Sequence, residues 1–304
     1  MAVKILGLKV DVDTLRGYRE GVPNLLGLLE ELSVKASFFF SMGPDNSGKA
    51  LVRVFRPGFL EKMRRTSAVS TYGWRTLLYG TLLPAPLIVE SAPGILRDAA
   101  RKGHDCGVHA WDHVKWQDRL PKLPVTTLEA DFRRAFDLFS QRTGKAARAC
   151  AAPGWQVTEE SLRVQEELKL DYCSDTRGAF PFLPRWGNKV FRTPQIPSTL
   201  PTMDEVLGRG GLEGSRLAEH LLGLLREGLN VFTLHGEMEG MGQLGVFREF
   251  LTRARDQGVR CVPLSTVAQA LDPETLPVCP VRMCPIEGRA GRVATQIIEE
   301  EPAA

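Results

Sequence analysis

The 304-residue chain has no stretch approaching the about 18 consecutive apolar residues that a membrane-crossing helix requires. It also lacks a basic segment, apolar segment and small-residue cleavage site at its start. Met1-Ala2-Val3-Lys4-Ile5 enters a strand-like run at once, so no export signal is expected and the protein is expected to remain cytoplasmic. Net charge is only +3, too small to argue for nucleic-acid binding. The six cysteines (106, 150, 173, 261, 279 and 284) are scattered and show no zinc-finger spacing. Three adjoin apolar runs, so reduced core thiols are expected. No internal repeat is visible, which excludes a solenoid. What remains, 43% apolar and 25% charged residues, is an ordinary globular composition with enough length for a substantial core.

Histidine is scarce, with five in the chain, and three of them (109, 113 and 235) stand at or just after the end of an apolar run. Asp11-Val12-Asp13 follows the run Ile5–Val10. His109-Ala110-Trp111-Asp112-His113 follows Cys106–Val108. His235 ends Val231-Phe232-Thr233-Leu234. Each group falls where a buried strand would stop. Strands are expected at 4–11, 35–41, 105–109, 148–151, 171–175, 190–194, 230–235 and 260–263. Helices are expected near 20–33, 93–102, 127–143, 159–169, 203–208, 216–227, 244–257 and 265–271. This alternation predicts an α/β fold with a parallel sheet closed, or nearly closed, into a barrel. Phe38-Phe39-Phe40 reads as a strand buried on both faces. In such folds the carboxyl ends of the strands carry the active site.

Alternation along a strand points Asp11 and Asp13 to one side, where two carboxylates repel unless a cation or proton separates them. A division of labour follows, with Asp13 on a metal and Asp11 on the attacking water. His109 and His113 are four apart, one helical turn, and both can reach the ion that Asp13 holds. One carboxylate and two imidazoles leave a divalent ion with open positions and suit zinc, cobalt or manganese. The bland alternative for each histidine is a satisfied core or surface residue. With a metal nearby, His235 becomes the general acid, and Asp175 a partner that orients it and raises its pKa. Glu237 and Glu239 are further possible contacts. His104 and His220 look incidental.

Two regions stand apart. Residues 44–92 form an insertion after the second strand, too long for an ordinary connection. Between Lys49 and Arg75 it carries seven Lys or Arg against one acid, Glu61, interleaved with apolar and aromatic residues. It reads either as an amphipathic surface for an anionic membrane or as a helical insertion packed on the barrel. The tail 272–304, rich in Pro, Gly and Arg, is expected to be a draped or disordered extension.

Taken in order over about residues 4–271, these pieces resemble the polysaccharide deacetylase (NodB-homology) family. The resemblance implies a deformed (β/α) barrel over 1–271 with fewer units than the eight-fold kind. In the third motif, Cys150-Ala151-Ala152-Pro153-Gly154-Trp155, alanine stands at 151 where the family has an arginine that orients the general base. Several segments are similar to one subfamily, the 4-deoxy-4-formamido-L-arabinose-phosphoundecaprenol deformylases. Among them are Asp11–Gly17, Arg19–Pro23, Phe39–Asn46, Gly107–His113, Ser174–Gly178, Gln195–Thr202 and His235–Gly240. That likeness implies metal-dependent hydrolysis of a formamide on a sugar carried by a polyprenyl phosphate at the inner-membrane surface. The product would be the aminoarabinose of lipid A modification and of resistance to polymyxin and cationic peptides. Arg16, Arg19 and Arg177 are candidates for the phosphodiester. Pro153, Trp155 and Glu237 are candidates for the sugar, with a backbone N–H near Pro153–Trp155 on the oxyanion. Deacetylation of another N-acylated sugar is the nearest alternative. A non-catalytic lipid-phosphate binder is a more distant one, disfavoured because binding alone needs no proton-transfer pair.

Overall fold

The computed structural model describes residues 3–50, 74–289 and 291–299. Its strands are β1 (Lys4–Val12), β2 (Ser37–Ser41), β3 (Asp105–Ala110), β4 (Ala149–Cys150), β5 (Tyr172–Cys173), β6 (Leu183–Trp186), β7 (Lys189–Val190), β8 (Gly228–His235), β9 (Arg260–Val262), β10 (Val278–Pro285) and β11 (Arg292–Gln296). The principal sheet is parallel, in the order β5-β4-β3-β2-β1-β8, with β9 also paired to β1.

The alternation of β1 builds two compartments. Leu6, Leu8, Val10 and Val12 join the large apolar cluster shared with the surrounding helices. The opposite face looks into the barrel, where Phe39, Ala149, Ala151, Tyr172, Ile196, Val231 and Leu264 form a second cluster. Phe38 and Phe40 stack outward while Phe39 meets Tyr172 inside, so the Phe38–Phe40 strand is buried on both faces.

Helices α1 (Val22–Glu31), α2 (Pro93–Arg101), α3 (His113–Arg119), α4 (Val125–Thr143), α5 (Glu159–Glu167), α6 (Met203–Val206), α7 (Gly214–Gly223), α8 (Leu244–Asp256) and α9 (Leu264–Gln269) lie in the connections. α4 shows the logic of their amphipathic faces. Leu128, Phe132, Ala135, Phe136 and Phe139 recur at helical spacing and are buried, and Gly144 ends the helix in a left-handed conformation (φ 74°).

The seam between β5 and β8 is closed by an irregular segment. Cys173 N–H donates to the Pro194 carbonyl, Ile196 N–H to Cys173, and Thr199 and Leu200 N–H to Val231. The result is a deformed, nearly closed barrel. The strand expected at 190–194 is not part of it. Lys189–Val190 instead pairs with β6, and Pro194 and Pro197 deny the following segment a regular ladder.

The C-terminal extension corrects an expectation. Val278–Pro285 and Arg292–Gln296 pair antiparallel as a hairpin, β10 with β11, which adds to β6 in a second sheet ordered β11-β10-β6-β7. It buries Cys279, Val281 and Ala294 against Val157, Phe182 and Phe191. Composition suggested a loose tail, but the tail holds enough inward apolar positions to pay for ordering. Of the 44–92 insertion, residues 51–73, which hold much of the basic-aromatic stretch, lie outside the described residues. In the part described, Trp74 and Leu82 are exposed.

His104 offers a stability prediction away from the site. It is buried edge-on against Phe38, and its Nδ1 accepts from Ala36 N–H. Burial, with Lys35 nearby, pushes its pKa down from 6.5 to about 4. The unfolded chain therefore binds the extra proton first, and stability falls as pH drops from about 6.5 towards 4. Between pH 7 and 5 this group should remove about 2 kcal/mol. Urea unfolding of His104→Gln should show that much less loss over the same interval; an unchanged loss would contradict the assignment.

A candidate metal and proton-transfer site

The site is built where β1, β3 and β8 end together. Asp11 on β1 is the in-register partner of His235 on β8, and the Gly236 N–H donates to the Asp11 carbonyl. Asp13 lies one alternation further on. Its Oδ1 is 3.2 Å from His109 Nε2 and its Oδ2 is 3.3 Å from His113 Nε2. The two imidazoles stack at 5.2 Å, and Asp13, His109 and His113 each offer a donor atom within 4.8 Å of the others. Two imidazoles and a carboxylate meeting at a strand end fit a divalent ion with open positions, the imidazoles giving up any proton when they ligate. Burial disfavours ionisation of Asp13, but the charges of His113, His109 and His235 overcome it and hold the carboxyl well below its usual range.

His109 and His113 do not share a helix. His109 ends β3 and His113 opens α3, with Asp112 as the cap accepting from Lys115 N–H. The turn at Trp111–Asp112 brings the two rings to one point. The same cap accepts from Asn46 Nδ2, which fastens the start of the insertion to the site.

Glu237, expected to touch substrate, is buried beneath the site. It accepts from Asp13 N–H (3.1 Å), Thr14 N–H (2.7 Å) and Thr14 Oγ1–H (2.7 Å), so it holds the loop that carries Asp13. Burial, then the charge of Asp13, pushes its carboxyl up to about 8. Two glycines allow this close packing. A Cβ on Gly17 would lie 2.2 Å from Glu237 Oε1, and one on Gly21 would lie 1.9 Å from the Gly236 carbonyl.

Asp175, expected to orient His235, is held elsewhere. It is fully buried, accepts from Gln165 Nε2 (2.8 Å) and Gln195 Nε2 (3.3 Å), and donates its N–H to Gln195 Oε1. Beside it Cys150 and Cys173 lie Sγ to Sγ at 3.4 Å, and burial pushes both thiols up. The carboxylates acting on His235 are those of Asp13, Asp204, Glu239 and Asp11. They outweigh the opposing effect of burial and raise its pKa. Glu239 also accepts from the His235 N–H at 2.7 Å, and burial pushes its own carboxyl up to about 7. Asp204, buried at the start of α6, had no strand or histidine beside it in sequence to mark it.

Pro153 and Trp155 are buried, and the Trp155 and Gln156 amides close a turn onto the Ala152 and Pro153 carbonyls. Those two amides are therefore engaged within the turn. Trp155 adopts a left-handed backbone (φ 51°), and its indole N–H donates to Ser198 Oγ. Three cations ring the indole: Lys9 at 5.0 Å, Arg177 at 5.1 Å and Arg289 at 4.5 Å from its centre. Arg177, expected at the phosphodiester, is buried and bonded to Glu205 and the Leu200 carbonyl. Its charge is used within the fold. Arg289 comes from the loop of the C-terminal hairpin and also reaches Glu205. Arg16 pairs with Glu20 at the mouth, and Arg19 is exposed beside it.

The polysaccharide deacetylase family pattern matches residues 12–173. A protein of Shewanella sediminis, named a probable 4-deoxy-4-formamido-L-arabinose-phosphoundecaprenol deformylase, is 38% identical over 96% of this chain and 94% of its own length. One of Wigglesworthia glossinidia brevipalpis with the same name is 32% identical, over 92% and 98% respectively. Among solved structures, Puue allantoinase is similar at 14% identity with a TM-score of 0.61, covering 88% of this chain and 90% of that one. The Bc1960 peptidoglycan N-acetylglucosamine deacetylase is similar at 14% identity with a TM-score of 0.56 and the same coverage. These two likenesses show the fold, the deformed barrel expected above. Together with the family pattern and the extent of the sequence likeness, they lead to one conclusion: this chain is a member of the polysaccharide deacetylase family.

Proposed function

We propose that the protein hydrolyses the formamide of 4-deoxy-4-formamido-L-arabinose-phosphoundecaprenol, releasing formate and the free amino sugar used in lipid A modification. The observation that carries the chemistry is the pairing of Asp11 with His235 in register across the Asp13–His109–His113 donor set. The substrate comes from the name borne by the full-length relatives.

Asp13, His109 and His113 would hold one divalent ion, zinc, cobalt or manganese. When bound, it supplies Lewis acidity at the formyl oxygen and eases ionisation of water. Asp11 takes the proton of the attacking water. One of its carboxylate oxygens, Oδ1, is buried with no hydrogen-bond partner among the described residues and is available for this. His235, whose pKa the carboxylates around it raise, delivers a proton to the departing amine nitrogen.

Arg16 and Arg19, which follow β1, are the cations this reading assigns to the phosphodiester. The lipid carrier points to peripheral binding on the cytoplasmic face of the inner membrane. Exposed Trp74 and Leu82 and the basic composition of 49–75 support this reading. Among the described residues, no helix is long and apolar enough to cross a membrane.

The test is mass spectrometry of the formamido-arabinose lipid after incubation with metal-loaded protein, with a chelator-treated control. Metal-dependent loss of one formyl group is the expected result. An unchanged lipid with metal bound, but a deacetylated N-acetyl sugar, would replace this substrate with the alternative.

A further inference from the structure

A lysine stands in the buried run of β1. Lys9 has no exposed surface, and β1 alternation turns it inward with Asp11 rather than outward with Leu8 and Val10. An ammonium taken out of water costs several kcal/mol unless it is closely paired. Its Nζ lies 3.0 Å from Asp11 Oδ2, with both groups buried. The Trp155 indole lies against it at 5.0 Å, and its charge also reaches Asp175.

This pairing divides the two oxygens of Asp11. Oδ2 is engaged by Lys9 as an ion pair, a charge contact at 3.0 Å without hydrogen-bond geometry. Oδ1 has no hydrogen-bond partner among the described residues and lies 3.9 Å from Nδ1 of His109, the ligand histidine whose Nε2 faces Asp13. The neighbouring wall of the lumen is Ala151, whose methyl packs with Phe39, Ala149 and Tyr172 and carries no charge to the site. A cation reaches the general base from two residues down its own strand, and the loop after β4 offers none.

We propose that Lys9 is the positioning residue of the general base: by holding Asp11 Oδ2 it presents Oδ1 to the attacking water, and so does from β1 the work that an arginine at position 151 would do. The inference rests on the deformylase reading for its kinetics but not for its geometry. Trp155 serves as the floor that keeps the lysine stem from swinging away. The seat of Trp155 depends in turn on Ser198 and on Arg289 of the C-terminal hairpin.

The experiment compares wild type, Lys9→Met, Lys9→Arg and the double variant Lys9→Met/Ala151→Arg, each loaded with cobalt. Lys9→Met should keep one cobalt with an unchanged absorption spectrum and a KM within about threefold, while kcat falls about 100-fold. Lys9→Arg should stay within about tenfold of wild type, and the double variant should recover at least about tenfold over Lys9→Met. A purely structural lysine would not be rescued by a cation placed just after another strand. Crystal structures of wild type and Lys9→Met read the geometry without any substrate. Asp11 should leave its wild-type rotamer when Lys9 is lost. Unaltered kcat in Lys9→Met, or an unmoved Asp11, overturns the proposal. Failure of wild type to deformylate the lipid overturns the function reading instead, and the crystallographic comparison still decides the role of Lys9.

Discussion

Asp11→Asn is expected to lower kcat about 1,000-fold while the protein keeps a full complement of metal. Asparagine fills the same volume beside His235 and Gly236, so the strand pairing at the site is preserved. What is lost is an oxygen able to accept a proton, since a neutral amide has no basicity near pH 7. The metal donors Asp13, His109 and His113 are untouched. KM should change little, because the proton transfer belongs to the transition state. Lys9 also loses its partner at 3.0 Å, and an unpaired buried cation destabilises by about 3–5 kcal/mol. The comparison is therefore made at a temperature where unfolding curves show both proteins fully folded. Wild-type turnover in a metal-loaded Asp11→Asn would remove Asp11 from the mechanism.

The second large effect is expected from the ion itself. Chelator-treated protein should lose activity to background and regain it with zinc, cobalt or manganese. The same addition should raise its melting temperature. An ion at 100 times its dissociation constant stabilises the folded chain by about 2.7 kcal/mol, which corresponds to several degrees. Asp13→Ala separates this from a general salt effect. It removes the carboxylate that His109 and His113 face at 3.2 and 3.3 Å, so both the activity and the metal-induced rise should vanish. Glu237 would keep its hydrogen bond, because its contact is to the Asp13 backbone N–H rather than to its side chain. A chelated protein of undiminished activity would exclude a metal-dependent reaction.

Much of this site could be read without coordinates because its parts are local. Apolar alternation marks β1, β3 and β8, and each candidate ligand or acid stands within a few residues of a strand end. Strand ends meet in a parallel barrel whatever the loops do, so Asp11, Asp13, His109, His113 and His235 converge as their positions in the chain predict. The helices follow from spacing in the same way. The tail failed this kind of reading because its order depends on a partner strand, β6, about a hundred residues away. Its own proline, glycine and arginine content carries no trace of that partner.

Charge pairing was the part that needed tertiary structure. From the sequence, Asp175 was as good a partner for His235 as any carboxylate, Arg177 as good a phosphate ligand as Arg16, and Glu237 a contact for substrate. The fold gives Asp175 to two glutamines, Arg177 to Glu205 and Glu237 to the Asp13 loop, and places Asp204 and Glu239 around His235. Lys9 did leave a sequence signal, a charge within an apolar run and in step with Asp11. The sequence by itself determined the family, the barrel and which carboxylates and histidines converge at the strand ends. Only the tertiary structure decided which charges neutralise which. Hydrophobic periodicity is a property of neighbours along the chain, whereas the energy of two charges depends on their separation and on the water excluded between them.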